Sequence, residues 1–260
     1  MAYLPEERVG KQNELPEAIE GVGIDEQLDG NLPGDVQVVD EKGNSVPIGQ
    51  YFNQGKPIIF SPVYYSCPSL CNLHLKGVFE VLKLMKLVPG KDYILLPISF
   101  DPKEDSDLAA SKQENYIKTY FATDADKTQG IHFLTANEES IKKLMTAVGF
   151  RYKWNPEAKE WAHASAAILL TPAGKISRYL HGVYFEEDTF RLSLVEASKG
   201  LIGSLADNFA LFCFRYDPKE NKYGFYAFNI MRIAGGLAVV ILLIWLFPFW
   251  LRHRRQTKSS

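Results

Sequence analysis

Two cysteines four positions apart are the first chemical signal in the sequence. Cys67 and Cys71 lie within "YYSCPSLCNLH", residues 64–74, and are two of the chain's three cysteines. Three cysteines are too few for a disulfide-stapled scaffold, so each is interpreted by itself. On a helix this spacing places both sulfurs on one face, close enough to bridge or to share a metal ion. A structural disulfide, a redox couple and a metal site are therefore the alternatives.

The flanking pattern places this pair at the junction of a buried strand and a helix. The run "PIIFSPVYY" (57–65) predicts a buried strand, and apolar residues at helical spacing predict a helix over 68–87. Pro68 suits the first helical position, which puts Cys67 at the N-cap and Cys71 one turn into the helix. Open N–H groups and the helix dipole then favour the thiolate of Cys67. Two soft thiolates select copper(I) or zinc over hard cations.

Two ligands rarely complete a metal site, so the histidines are candidates for a third ligand. His74 lies two turns from the open end of the predicted helix, and a packed or surface position is preferred for it. His132 and His181 fall on predicted strands with structural roles, and His253 lies in the basic tail. His163, in "EWAHASAAILL", is predicted in a loop just before a buried strand, where functional side chains are commonly presented.

The rest of the chain alternates predicted strands and helices, which indicates an α/β domain with a mixed sheet. The final hairpin is expected at an edge of that sheet. Asn137 and Gly149 are expected to cap the third helix. The further predicted elements are a hairpin over 36–52 with a turn at "EKGN", strands at 93–100 and 131–134, helices at 105–121 and 137–149, a hairpin joining 166–171 to 176–182, and a helix at 186–203.

An uncharged apolar run near the C-terminus has the length of a membrane span. The run "IAGGLAVVILLIWLFPFWL" (233–251) approaches the roughly 20 residues that a spanning helix needs, and aromatic residues crowd its far end. The basic tail at 252–260 favours the cytoplasmic side. We therefore expect a single-pass protein of the cell (inner) membrane, with the globular domain on the periplasmic, extracytoplasmic side and the C-terminus in the cytoplasm.

An exported domain requires an N-terminal signal, and "MAYLPEERVG" has no apolar core of that kind. Either a signal was removed before this numbering begins, or the protein is tail-anchored in the cytoplasm. The basic tail argues against tail-anchoring, since the tail would then have to cross the membrane. The formal net charge of −2 gives no electrostatic basis for nucleic acid, and we predict no such partner.

Composition and patterning together divide the chain into five predicted segments. Cys213 lies between Phe212 and Phe214 in the aromatic-rich segment that precedes the predicted span. It is interpreted as a free, buried, small apolar residue, with a resolving or copper-delivering thiol as the alternative. The segments are an extended, acidic N-terminal arm at 1–34, a globular domain at 35–205, a juxtamembrane segment at 206–232, a transmembrane helix at 233–251 and a basic tail at 252–260.

Three motifs together resemble the Sco (SenC) family of copper proteins for cytochrome c oxidase assembly. They are "VYYSCPSLC", "ISFDPKED" and "WAHASAAILLTPAGKISRYLHG", and the similarity extends over about residues 35–205. It also covers "LFCFRYDPKENKYGF" and the span, which resemble a bacterial branch with a C-terminal anchor. The resemblance implies a thioredoxin-like fold and one copper ion per chain. The implied copper ligands are Cys67, Cys71 and His163.

The Asp-Pro motif of the family falls on Asp101 and Pro102, at the C-terminal end of the second predicted buried strand. That end borders the site in open α/β sheets, so Asp101 is a candidate for orienting or tuning the metal site. The alternative is an Asx-turn or cap residue before the next helix. The chain has "KEDSD" where the family often has an Arg-Asp-Thr-like run, which puts any role of Glu104 or Asp105 in doubt.

The resemblance favours a membrane-anchored copper chaperone that delivers copper to the dinuclear copper site of cytochrome c oxidase. Its partners would be the oxidase's copper-binding subunit, a periplasmic copper donor or thiol reductant, and the membrane. The alternative is a thiol–disulfide oxidoreductase in which Cys67 and Cys71 are the redox-active pair and keep the oxidase's copper-ligand cysteines reduced. Thioredoxin-type pairs have two intervening residues, and here there are three.

Two other functions fit the sequence less well. A peroxiredoxin-like peroxidase would resemble its relatives in a Pro-x-x-x-Thr/Ser-x-x-Cys approach, whereas this chain has "PVYYSC". A purely structural disulfide across so short a loop would give little entropic stabilisation.

Overall fold

The computed structural model describes residues 20–121, 129–203, 214–217 and 222–225, together with Gly235 and Leu242. The chain divides into two units, Met1–Ile202 and Gly203–Ser260. In the second unit, β10 (Phe214–Asp217) and β11 (Lys222–Phe225) form an antiparallel hairpin. The described elements of the first unit are β1 (Gly23–Ile24), β2 (Gln37–Val39), β3 (Ser45–Pro47), β4 (Ile58–Val63), α1 (Leu70–Met85), β5 (Ile94–Ser99), α2 (Ser106–Phe121), α3 (Glu138–Ala147), β6 (Phe150–Asn155), β7 (Glu160–His163), β8 (Ala166–Leu170), β9 (Ile176–His181) and α4 (Glu187–Ser198).

The central sheet has the strand order β5-β4-β8-β9. β4 and β5 are parallel, whereas β8 is antiparallel to both β4 and β9. This confirms the predicted mixed sheet, with the final hairpin at its edge. Every residue of β4, β5 and β8 is buried, which is why these strands appear in the sequence as continuous apolar runs.

The predicted strand at 131–134 forms only part of a ladder beside β5. Leu95 pairs with Ile131 and Ile98 pairs with Leu134, both in parallel register. Between these two pairs, Leu134 N donates to Pro97 O at 2.8 Å. Pro97 has no N–H, so it cannot donate a hydrogen bond to the neighbouring segment. The missing donor interrupts the pairing, so the segment lies along the sheet without completing a regular strand.

A second, three-stranded sheet was not predicted. It has the order β1-β6-β7, with both pairings antiparallel. In the strands β6 and β7 only Phe150 is buried, and they lack the apolar run that marks the central strands. β1 belongs to the predicted N-terminal arm, so the described part of that arm is paired to the domain.

The helices begin and end within a few residues of the predicted positions, apart from α4, which ends at Ser198 instead of 203. Asn137 caps α3 as predicted, since its side chain accepts a hydrogen bond from Ser140 N at 2.9 Å. Gly149 follows that helix with a φ of +62°. The predicted N-terminal hairpin is β2 and β3, and Gly43 in its turn has a φ of +81°.

No helix among the described residues is both long enough and apolar enough to cross a membrane. The run predicted to span, residues 233–251, lies outside the described residues except for Gly235 and Leu242. Cys213 also lies outside them. The predicted span, the juxtamembrane role of 206–232 and the tail therefore remain predictions.

Candidate metal centre

Three separate segments of the first unit bring Cys67, Cys71 and His163 together. Cys67 lies in the turn after β4, Cys71 is the second residue of α1, and His163 is the last residue of β7. Their possible ligand atoms all lie within 4.8 Å of one another. The sulfur of Cys71 is 3.3 Å from Nε2 of His163. The set that the resemblance implied is thus assembled in one place by residues far apart in the chain.

Cys67 does not cap the helix, contrary to the sequence prediction. Ser69 is the N-cap residue and α1 begins at Leu70, so Pro68 also precedes the helix. Cys67 instead occupies a turn in which its N–H donates to Tyr64 O at 3.3 Å. The predicted electrostatic consequence is retained, because the N–H of Cys71, in the first turn of α1, donates to the sulfur of Cys67 at 3.4 Å.

The two thiols have opposite electrostatic environments, and both are free in this structure. Hydrogen bonds from the Cys71 thiol and from the backbone N–H groups at the helix start hold the pKa of Cys67 well below its usual range, despite burial. Burial raises the pKa of Cys71, and the neighbouring Cys67 adds to that shift. The pair is therefore arranged as one thiolate, on Cys67, next to one thiol.

His163 presents one specific ring nitrogen to the cysteines. Its Nδ1 lies 2.6 Å from Ala164 O, and because a carbonyl can only accept, Nδ1 carries the proton. Nε2 is then left with its lone pair facing Cys71. A partner on the distal nitrogen is the usual device that orients a metal-binding imidazole. The position differs from the prediction, since His163 ends a strand and does not lie in a loop.

Aromatic rings surround the imidazole of His163. Phe100, Tyr64 and Phe150 have ring centroids at 5.2, 5.7 and 6.3 Å from it. The ring of Tyr64 meets the imidazole edge-on. The backbone N–H of Tyr64 donates to the sulfur of Cys71 at 3.3 Å. Two sulfurs and one imidazole nitrogen in a partly apolar wall suit a soft metal such as copper(I) or zinc.

The other described histidines lie outside this group, as the sequence analysis favoured. His74 is buried, with Nδ1 3.0 Å from Gly182 O and Nε2 3.4 Å from Ser61 Oγ. His132 lies beside Glu41, and His181 is paired with Glu26.

Asp101 is nearly buried and forms the Asx-turn that the sequence offered as one of its two roles, whereas its orienting role at the metal site stays a prediction. Its Oδ1 accepts from Lys103 N at 3.0 Å, which closes an Asx-turn. Its Oδ2 accepts from the indole N–H of Trp161 at 2.9 Å. Trp161 lies on β7, two residues before His163. Asp101 is thus connected to the site through the strand that carries the histidine.

The sequence analysis put any role of Glu104 in doubt, but the structure places this residue beside the cysteine turn. Its carboxylate accepts hydrogen bonds from Tyr65, Ser66 and Ser99. The available signal was its position, since it follows the C-terminal end of a buried parallel strand, where functional groups collect in α/β sheets.

Comparison with known proteins places this architecture in a family. No curated protein matches the chain significantly. A crystal structure described as an electron transfer protein from Aquifex aeolicus VF5 is 28% identical, covers 67% of this chain and 96% of its own, and has a TM-score of 0.58. A second, described as an electron transport protein of the same organism, is 28% identical, covers 67% and 99%, and has a TM-score of 0.55.

Arabidopsis thaliana ScoI, solved with copper bound, shares the fold at 18% identity, covering 65% of this chain and 99% of its own with a TM-score of 0.51. The family model SCO1/SenC matches residues 25–192, well over half of the chain. That match includes both cysteines, the Asp-Pro turn and the histidine. The chain belongs to the SCO1/SenC family.

Proposed function

We propose that this protein is a membrane-anchored copper chaperone of cytochrome c oxidase assembly. Copper is its cargo, bound by Cys67, Cys71 and His163 and passed to the dinuclear copper site of the oxidase by ligand exchange. The observation that carries the proposal is the convergence of these three side chains within 4.8 Å. Membership of the SCO1/SenC family supports copper as the metal and the oxidase's copper-binding subunit as the recipient.

The state of the thiols supports binding followed by release. Cys67 already favours the thiolate, whereas Cys71 must lose a proton before its sulfur can act as an anionic ligand. In the neutral imidazole whose Nδ1–H is bonded to Ala164 O, Nε2 of His163 offers its lone pair directly. The site therefore offers two donors at once and a third that depends on proton loss, which suits exchange with a recipient site.

The same asymmetry favours the alternative function, thiol–disulfide exchange. The Cys67 thiolate would attack a partner disulfide and release one partner thiolate. Cys71 would then lose its proton and attack the sulfur of Cys67, which yields a Cys67–Cys71 disulfide and a fully reduced partner. Since the disulfide consumes both sulfur ligands, copper binding and the disulfide are mutually exclusive states of one site.

The test is copper(I) titration of the reduced full-length protein and of His163→Ala. We expect one copper per chain in the parent protein. We expect at least about 10-fold weaker binding in the variant, since even residues that only orient ligands cost that much when removed. The Cys67–Cys71 disulfide should still form in the variant, because the histidine is not part of that bond.

The matched control is His181→Ala, which removes an exposed histidine paired with Glu26 and leaves the three ligands in place. Its copper affinity should equal that of the parent protein. If His163→Ala binds copper with unchanged affinity and spectrum, the three-ligand site is wrong. If the parent protein binds no copper but exchanges disulfides, the oxidoreductase is the function.

A further inference from the structure

The carboxylate of Glu104 has hydrogen bonds on both oxygens, and most of them come from the segment that leads into Cys67. Oε1 accepts from the N–H and from the hydroxyl of Ser66, each at 2.7 Å. Oε2 accepts from the N–H of Tyr65 at 2.7 Å and from the hydroxyl of Ser99 at 2.6 Å. Hydrogen bonds to an ionised acceptor are shorter and stronger than neutral ones.

These bonds act where the sheet no longer holds the chain. The last sheet bond of β4 on this side runs from Phe100 N to Val63 O, at 2.8 Å. The backbone then turns away from the sheet before α1 begins at Leu70. The N–H groups of Tyr65 and Ser66 lie in this turn, and Glu104 accepts from both. The carboxylate thus takes the place of a neighbouring strand for the two residues directly before Cys67.

Two carboxylates in the turn after β5 therefore accept hydrogen bonds from the two segments that carry Cys67 and His163. Glu104 holds the turn that ends in Cys67. Asp101 holds Trp161, on the strand that ends in His163. Neither carboxylate has a described hydrogen bond to a ligand atom, so both act through the backbone or through another side chain. The spacing of Cys67 from the other two ligands depends on how firmly its turn is held.

We propose that Glu104 is a positioning residue for Cys67. It fixes the turn over Tyr65 and Ser66, and it thereby sets how closely the Cys67 sulfur approaches the sulfur of Cys71 and the imidazole of His163. Its effect on copper affinity rests on the proposed function. Its effect on the Cys67–Cys71 disulfide does not, because that bond forms without metal.

Glu104→Gln tests this role with almost no change in size. The amide replaces one accepting oxygen by an NH₂ donor, so in either orientation it faces a backbone N–H that has lost its acceptor. In the full-length protein we expect about 10-fold weaker copper(I) binding, measured by competition with a chromophoric chelator. We also expect the equilibrium with glutathione to shift several-fold toward the dithiol, because the two sulfurs are held together less firmly.

Asp40→Asn is the matched control. Asp40 is a buried carboxylate that holds the turn of the β2–β3 hairpin through three hydrogen bonds, from Lys42 N, Asn44 N and Asn44 Nδ2. We expect this variant to melt at a lower temperature, with the copper affinity and the glutathione equilibrium of the parent protein. If Glu104→Gln behaves in the same way, Glu104 is only structural and the proposal is overturned.

Ser66→Ala decides the question if Glu104→Gln does not fold. It removes one of the four hydrogen bonds and leaves both backbone N–H groups bonded, so we expect a smaller change in the same direction. An unchanged copper affinity and an unchanged glutathione equilibrium in that variant would contradict the proposal. A parent protein that binds no copper would instead refute the proposed function, and the glutathione equilibrium would still test Glu104.

Discussion

The imidazoles of His74 and His163 differ in which ring nitrogens are already bonded. Both nitrogens of His74 have protein partners, Gly182 O and Ser61 Oγ, and the residue is 1% exposed. His163 has one protein partner of this kind, on Nδ1, and its other nitrogen faces a sulfur. His74 is therefore a packing residue, although it lies three residues after Cys71. His163, ninety-two residues after Cys71, is the candidate ligand.

The burial of His74 predicts a pH dependence of stability. Burial lowers its pKa from 6.5 to about 4 in the folded protein. The unfolded chain takes up the proton near pH 6.5, so the contribution is fully present above that pH. It is lost progressively as the pH falls from 6.5 toward 4. The shift corresponds to a loss of roughly 3 kcal/mol in the free energy of unfolding.

Urea denaturation of the metal-free, reduced protein between pH 7.5 and pH 4 measures this loss. His74→Asn is the reference, because its amide can replace the bond to Gly182 O without titrating. All other groups are common to both proteins, so the difference between the two curves isolates His74. Curves that stay parallel over this range would show that the folded protein accommodates the charged ring.

At the scale of the elements, the central strands and the site hairpin differ in how far the sequence reveals them. β4, β5 and β8 are buried on both faces, so their composition alone identifies them. The hairpin of β6 and β7 has few buried residues, and cross-strand aromatic contacts such as Trp154 with Trp161 connect its strands. Only Phe150 of these two strands is buried, so the hairpin has no apolar run from which the sequence would predict it.

Some residues of the candidate metal site were predicted from the sequence and others were not. The strand–turn–helix pattern located Cys67 and Cys71, and the family resemblance added His163. The strand that presents His163, β7, was missed because it has no buried residue and no apolar run. The role of Glu104 was missed because its four hydrogen bonds join segments that are up to 39 residues apart in sequence. The sequence thus identified the candidate ligands better than it identified the groups that are hydrogen-bonded to the segments carrying them.

Helix α1, which carries Cys71, passes so close to the loop after β9 that only glycine fits at position 77. A Cβ at Gly77 would collide with the carbonyl oxygen of Val183, which is backbone and cannot move aside cheaply. Helix propensity alone would make Gly77→Ala stabilising by about 1 kcal/mol. We expect the collision to reverse the sign and lower the free energy of unfolding by about 1–3 kcal/mol.

Chemical denaturation of Gly77→Ala measures this effect, with Leu84→Ala as the control. Leu84 lies on the same helix with 63% of its surface exposed, so its truncation should change stability by no more than about 0.5 kcal/mol. A Gly77→Ala protein as stable as the parent would mean that α1 can shift away from the loop. In that case Cys71 would move with the helix, and copper affinity would report the displacement.

At the scale of the whole molecule, the proposed anchor would tether the domain that carries the metal site to the membrane. A tether converts an encounter in solution into one at the effective concentration set by the linker. The domain that carries the site ends near residue 202, and the apolar run begins at residue 233. Under the proposed function, such a tether would let the domain meet a membrane-bound oxidase subunit without requiring tight binding to it.

The orientation of that anchor can be tested with reporters at two positions. The tail holds Arg252, Arg254 and Arg255, and positive charge next to a span favours the cytoplasmic side. We expect a fluorescent protein fused after Ser260 to fluoresce, and alkaline phosphatase at the same position to be inactive, because that enzyme needs an oxidising compartment. When every fusion carries the same added N-terminal export signal, phosphatase fused after Ile202, in place of the remaining chain, should be active. Phosphatase activity after Ser260 would reverse the predicted orientation and place the basic tail outside the cytoplasm.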